Sequence, residues 1–180
     1  MSPSSEEDRV IRGMTTSDGF RIVAVDATET VRGAIAAQEV DGAGAKLFGE
    51  LLAGTVLVRE TMAPKLRVQA LLKHTTAGSI LADSHADGMT RGLVNRVGSN
   101  FELGADTNLQ IMRALPSGEL HQGVVRTEAE HGLSASFTTY MRDSEQVESA
   151  VGVACATENG EVIAAGGYLL QRMPDAEFMT

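Results

Sequence analysis

The chain has one cysteine, no tryptophan, four prolines, and aromatic residues at only 4% of its 180 positions. The lone Cys155 excludes an internal disulfide and any multi-thiolate metal site formed by a single chain. It sits in Val151-Gly152-Val153-Ala154-Cys155-Ala156, where a small buried hydrophobe is expected rather than a reactive thiol. With so few aromatics, the core must be built from Val, Leu, Ala, Ile and Met. Basic residues are also short, 15 against 24 acidic for a net charge of −9 and a pI near 4.9, and they form no cluster. Such a chain repels a phosphate backbone, so neither nucleic acid nor an anionic membrane is an expected partner. No apolar stretch approaches the roughly 20 residues of a membrane span without a charge. The start, Met1-Ser2-Pro3-Ser4-Ser5-Glu6-Glu7-Asp8, is acidic and polar, unlike a signal or transit peptide, which makes the cytoplasm the expected location.

What is present is ordinary for a globular protein: 43% hydrophobic residues, in a length that fits one domain and hides about 70% of its unfolded surface. Residues 1–8 read as a disordered acidic tail, 9–174 as a single domain and 175–180 as a C-terminal tail. Phe20, Ile22 and Ala24 share one face of a first strand, and Asp26 or Thr28 can cap a short helix over Val31 to Gln38. Ala43 to Met62 is apolar around most of its girth, with Lys46, Glu50, Arg59 and Glu60 near its ends. A helix of that kind must be surrounded by protein, and Pro64 would end it. Strands follow at Leu66–Leu72, Ser79–Ala82, Met89–Val94, Asn108–Arg113 and His121–Arg126, with turns at Asp87-Gly88 and Pro116-Ser117-Gly118 and a loop over Gly98–Thr107. Leu133, Phe137, Tyr140 and Met141 make one apolar helical stripe, to lie on a sheet. Ala150–Thr157 and Val162–Gln171 form a closing hairpin across Asn159-Gly160. The expected class is α+β: largely antiparallel sheets packed around a long, mostly buried helix, with an amphipathic helix on the sheet.

Chemistry-bearing patterns are few. Asp41-Gly42-Ala43-Gly44 lacks the third glycine and the Lys-Ser/Thr ending of a nucleotide loop. Asp83-Ser84-His85 gathers three catalytic residue types, but neighbours on a strand point to opposite faces and cannot converge as a triad. His74, His121 and His131 show no zinc spacing. No enzyme signature survives. Gly166-Gly167 inside an apolar strand calls for a bulge or for close approach of another backbone or of the buried helix, and the second fits better because that helix carries Gly49 and Gly54.

Six segments in order resemble the 33-kilodalton heat-shock protein family, redox-regulated holdase chaperones of the HslO type. They are Phe20 to Thr28; Leu47-Phe48-Gly49-Glu50-Leu51-Leu52-Ala53; Gly88-Met89-Thr90-Arg91-Gly92; His121-Gln122-Gly123-Val124-Val125; Tyr140 with Ser144-Glu145-Gln146; and Ala165-Gly166-Gly167 through Gln171 to Pro174. Two departures mark a divergent member. Lys73-His74-Thr75-Thr76-Ala77-Gly78 replaces a Gly-Asp-Gly-Pro turn, and Leu93 replaces an aromatic. The family's C-terminal linker and its Cys-x-Cys and Cys-x-x-Cys zinc module have no counterpart in these residues, so no zinc cofactor and no redox switch are expected within them. In the family the linker covers an apolar face of the N-terminal sheet domain that holds unfolding clients. The resemblance therefore implies a holdase that binds unfolded protein through apolar surface, with Val68, Ala70, Leu72, Leu109, Ile111, Phe137 and Met141 as the residues expected to bind client or partner. Its competitor is a structural or regulatory module on the same fold, a homodimer or the binder of one folded partner.

Overall fold

The computed structural model describes residues 7–16, 19–62, 66–98, 101–115 and 117–173. Nine strands and three helices occur among them. In chain order they are β1 (Arg9–Met14), β2 (Phe20–Asp26), α1 (Thr28–Gln38), α2 (Gly42–Thr61), β3 (Val68–His74), β4 (Gly78–Ser84), β5 (Thr90–Asn95), β6 (Thr107–Ala114), β7 (Leu120–Arg126), α3 (Gly132–Asp143), β8 (Ser149–Glu158) and β9 (Glu161–Arg172). The strands form two wholly antiparallel sheets, of order β1-β2-β9-β8 and β5-β4-β3-β6-β7. The α+β class expected from grouped strands is what is found.

The two sheets face each other across the helices. α2 touches β2, β8 and β9 on one side and β3, β4 and β5 on the other, with α1 and α3 beside it in the same layer. That position explains its composition. Phe48, Leu51, Leu52, Leu57 and Val58 have no accessible surface, and burying each large side chain contributes about 1.5–3 kcal/mol. At about 1.5 Å per residue the 20-residue helix spans roughly 30 Å, the typical diameter of a small domain.

Glycines let the layers close. A methyl group on Gly54 would enter the Phe137 ring, one on Gly92 the Phe48 ring, and one on Gly123 would strike Tyr140 and Ser144. The Gly166-Gly167 pair answers to close approach rather than to a bulge. A methyl on Gly166 would collide with the Val25 carbonyl, and one on Gly167 would meet the Gly152 carbonyl and lie 3.1 Å from Leu57 Cδ1. The register irregularity of this hairpin lies elsewhere, between Ala156 and Thr157. Asn159 and Gly160 have φ of 52° and 85°, the pair of positive values that a type I′ turn requires.

Three features differ from the sequence reading. β1 precedes the strand taken as first. α1 begins without a side-chain cap from its own N-cap residue; instead the carboxylate of Asp8 accepts the N–H groups of Glu29 and Thr30 at 2.8 and 2.7 Å, a distant side chain doing the work of a local cap. Asp26, one of the two expected caps, joins it, accepting the Thr28 N–H at 3.2 Å and the Thr28 hydroxyl at 2.7 Å. The segment before β6 is a loop, as expected, but Phe101 drops from it into the core. Pro64, Pro116, residues 1–6 of the acidic tail and the tail 175–180 lie outside the described residues.

Candidate functional site

Each sheet turns one face to the helices, and alternation along a strand sends every second residue to the other face. Val68, Ala70 and Leu72 of β3 and Leu109 and Ile111 of β6 share the inner face and have no accessible surface. Phe137 and Met141 of α3 are equally buried, Phe137 in the space left by Gly54. All seven side chains expected to bind a client or partner are thus core in this fold. The inner face needed the most regular apolar pattern to pack on α2, so pattern strength marked the core rather than the surface.

Most of the exposed large apolar side chains of the strands lie on the outer faces. On the four-stranded sheet the register aligns Ile11, Ala24, Tyr168 and Gly152 in one row across β1, β2, β9 and β8, and Gly13, Ile22, Leu170 and Ala150 in the next. Ile11, Phe20, Ile22 and Tyr168 expose 60, 41, 42 and 54% of their surface, and no helix among the described residues covers them. The Tyr168 ring leans over Gly152, where any side chain would collide with it. Phe20 and Ile22 were legible as one strand face. Ile11 was missed because Arg9–Met14 carries two arginines and a glycine, and Tyr168 because it sits inside a glycine-marked strand.

One edge of this sheet is closed. Ser134 and Thr138 of α3 reach β8, accepting the N–H groups of Val153 and Val151, each at 3.0 Å, and Ser134 also donates to the Val153 carbonyl at 3.3 Å. These hydroxyls occupy backbone groups that would otherwise recruit another strand.

The polar clusters are structural in geometry. Glu145 accepts a two-pronged ion pair from Arg113 at 2.8 and 2.9 Å and a hydrogen bond from the Tyr140 hydroxyl. Burial, followed by the Glu145 carboxylate, pushes the Tyr140 phenol well above its ordinary value. The spacing of Tyr140 and Ser144-Glu145-Gln146 is explained by this bond, by Ser144 packing on Gly123 and by the left-handed Gln146, φ 58°. At the end of α2, Glu60 pairs with Arg12 and Arg59, and Arg21 donates to the Thr61 carbonyl at 3.2 Å. On the outer side of the five-stranded sheet, Asp83 accepts Arg67 at 2.6 and 2.7 Å, Arg91 Nε at 3.2 Å, and lies 3.3 Å from His85 Nε2. Burial raises the Asp83 carboxyl, but the bonds from Arg67 and Arg91 outweigh it and hold the group below its usual range. Ser84 points the other way, with its hydroxyl 3.0 Å from that of Thr90, so Asp83, Ser84 and His85 do not converge. Cys155 is buried against Gly49, and burial followed by the Glu50 charge pushes its thiol up, the opposite of an activated thiolate.

These features define a class: α+β domains in which two antiparallel sheets enclose a central helix and apolar side chains are displayed on open sheet faces. Within that class the chain belongs to the Hsp33 family, whose model, described as Hsp33 protein, matches residues 8–180. Its relatives include the 33 kDa chaperonins of Levilactobacillus brevis, 29% identical over 94% of this chain and 62% of the relative, and of Halalkalibacterium halodurans, 31% identical over 94% and 63%. The crystal structure of the 33 kDa chaperonin from Thermotoga maritima superimposes with a TM-score of 0.78 at 20% identity, over 91% of this chain and 60% of that one. The chain thus spans about three fifths of the length of these proteins.

Proposed function

We propose that residues 1–180 act as a holdase, binding unfolded polypeptide on the outer face of the four-stranded sheet. The observation that carries the reading is the uncovered apolar surface of Ile11, Phe20, Ile22 and Tyr168. Rows of exposed apolar side chains spread over several strands suit extended, sequence-diverse apolar segments. The names of the relatives support a chaperone role. The reading takes this domain as sufficient for holding, with no metal, nucleotide or thiol switch of its own.

The test is aggregation of a thermally unfolding client, followed by light scattering. The domain should suppress scattering, and the pair Ile22→Ser and Tyr168→Ser should abolish suppression while the melting temperature changes little. Absence of suppression by the unaltered protein under both oxidising and reducing conditions overturns the reading. The same face could instead be occupied by a second copy of the chain, since exposed apolar rows also drive self-association. A stable dimer that the Ile22→Ser, Tyr168→Ser protein no longer forms, without holdase activity in the parent, would favour that alternative.

A further inference from the structure

The two sheets end in four edge strands, β1 and β8 in one and β5 and β7 in the other. An edge strand turns the N–H and C=O of every second residue away from its neighbour, where a further chain can pair with them. We propose that β1 takes up an extended client segment as an added strand of its sheet, so that backbone bonds hold the client together with the apolar side chains. The proposal rests on the holdase reading and specifies how that surface binds.

Helix side chains close other strand borders. Ser134 and Thr138 of α3 occupy β8. Beyond the end of β2, the open side of β9 is met by α1: the Thr28 hydroxyl accepts the Ala165 N–H at 3.1 Å, and Arg32 Nε donates to the Val162 carbonyl at 2.7 Å. Gln38 of α1 reaches across to β5, where its Oε1 accepts the Val94 N–H at 3.1 Å. β1 differs. Among the described residues no side chain bonds the backbone of Val10 to Met14, and five of the six residues of the strand are exposed. β7 borders a more polar outer face, with Gln122 and Arg126 on either side of Val124, and α3 packs against it.

The open edge adjoins the uncovered face. Ile11 stands at the end of the row that continues through Ala24 and Tyr168, so an added strand sets a side chain beside Ile11 and extends that row outward. Its alternate side chains fall on the other face, beside Val10 and the exposed Met14. Both faces of the added strand therefore meet apolar groups. Arg12, between Val10 and Met14 on that face, is paired with Glu60. At about 3.3 Å per residue, the six residues of β1 match a segment of about 20 Å. Main-chain bonds are blind to sequence, which suits the capture of unrelated unfolded chains, and they exclude proline wherever an N–H is needed. A second copy of β1 is a poor occupant, because self-pairing would bring Arg9 and Arg12 of each copy onto one short interface.

The experiment uses the full chain and a dye-labelled heptapeptide, Val-Thr-Val-Tyr-Val-Thr-Val, followed by fluorescence anisotropy. Two variants of the peptide are N-methylated, one at its third and fifth residues and the other at its fourth and sixth, so that each loses the donors of one strand edge only. One variant should bind about tenfold or more weakly than the parent, having lost two backbone bonds, and the other should bind like the parent. Amide exchange followed by NMR supplies the location. With the parent peptide at saturation, the outward N–H groups of β1 should exchange about tenfold or more slowly, with those of β7 unchanged. Equal affinity of the two methylated variants, unchanged exchange along β1, protection at β7 instead, or no binding of the parent peptide overturns the proposal. So does slow exchange along β1 in the peptide-free chain that grows with protein concentration, the mark of a second copy on that edge. Suppression of client scattering without the methylation asymmetry removes strand addition and keeps the holdase reading. Asymmetric peptide binding at β1 without suppression removes the holdase reading alone.

Discussion

Tyr140 shows how one side chain joins separate elements. Its ring fills the space over Gly123 of β7, and its hydroxyl holds Glu145, which in turn holds Arg113 of β6. Tyr140→Phe should keep the packing, lose one hydrogen bond to a charged acceptor and cost about 1–2 kcal/mol in denaturant unfolding. Ionisation gives the same bond a pH signature. The folded phenol is raised above its unfolded value of 10.0, so its contribution is complete below pH 10 and is lost as pH rises above it. Ultraviolet absorption during an alkaline titration should therefore show the Tyr140 phenol ionising only with loss of the fold. Gly54 is the packing counterpart. Gly54→Ala drives a methyl into Phe137, and overpacking of this kind costs about 1–3 kcal/mol. Cys155→Ser, by contrast, should leave client holding unchanged in the light-scattering assay, because the thiol lies in the core and away from the exposed rows.

At the scale of elements, α3 performs two tasks that its sequence displays on different faces. Leu133, Phe137, Tyr140 and Met141 bind it to the core, and Ser134 and Thr138 close the β8 edge. Replacing both hydroxyl residues by alanine should leave two N–H groups of β8 without partners, costing about 1–3 kcal/mol. It should also raise the tendency of the free protein to aggregate, since the middle of β8, Ala150 to Ala156, all small or apolar, would become available for pairing. Light scattering of the protein alone, compared with thermal melting, separates the two effects. The apolar stripe of α3 was readable from its spacing, and the helix lies as expected against a sheet. Its edge-closing role was not readable, because Ser134 and Thr138 look like any polar residues on a solvent face until β8 is placed beside them.

For the whole molecule, the Asp83 cluster ties the start of β3 to β4 and β5 on the outside of one sheet. The folded carboxyl titrates below its unfolded value of 3.8, so its stabilisation is present above that pH and is lost as pH falls through the lower folded value. Asp83→Asn should destabilise the protein at neutral pH by about 1–3 kcal/mol, a figure that discounts the solvent exposure of the two arginines. It should also flatten the acid limb of a stability profile measured by denaturant unfolding across that range. The aggregation assay and its Ile22→Ser, Tyr168→Ser control belong to this scale as well, since the rows they disrupt draw on four strands from both ends of the chain.

The elements were largely determined locally. A long helix apolar on all sides, a single-striped helix, alternating strands and an Asn-Gly turn each follow from side-chain period and backbone preference, and the glycines announced close contact before the contacting groups were known. What tertiary structure decided was which of two apolar strand faces would be covered. Val68, Ala70, Leu72, Leu109 and Ile111 turned inward because α2 lies there, and Ile11, Ile22 and Tyr168 turned outward because no described element covers them. Period two states that a strand has two faces. Only the position of the neighbouring layer says which one meets water.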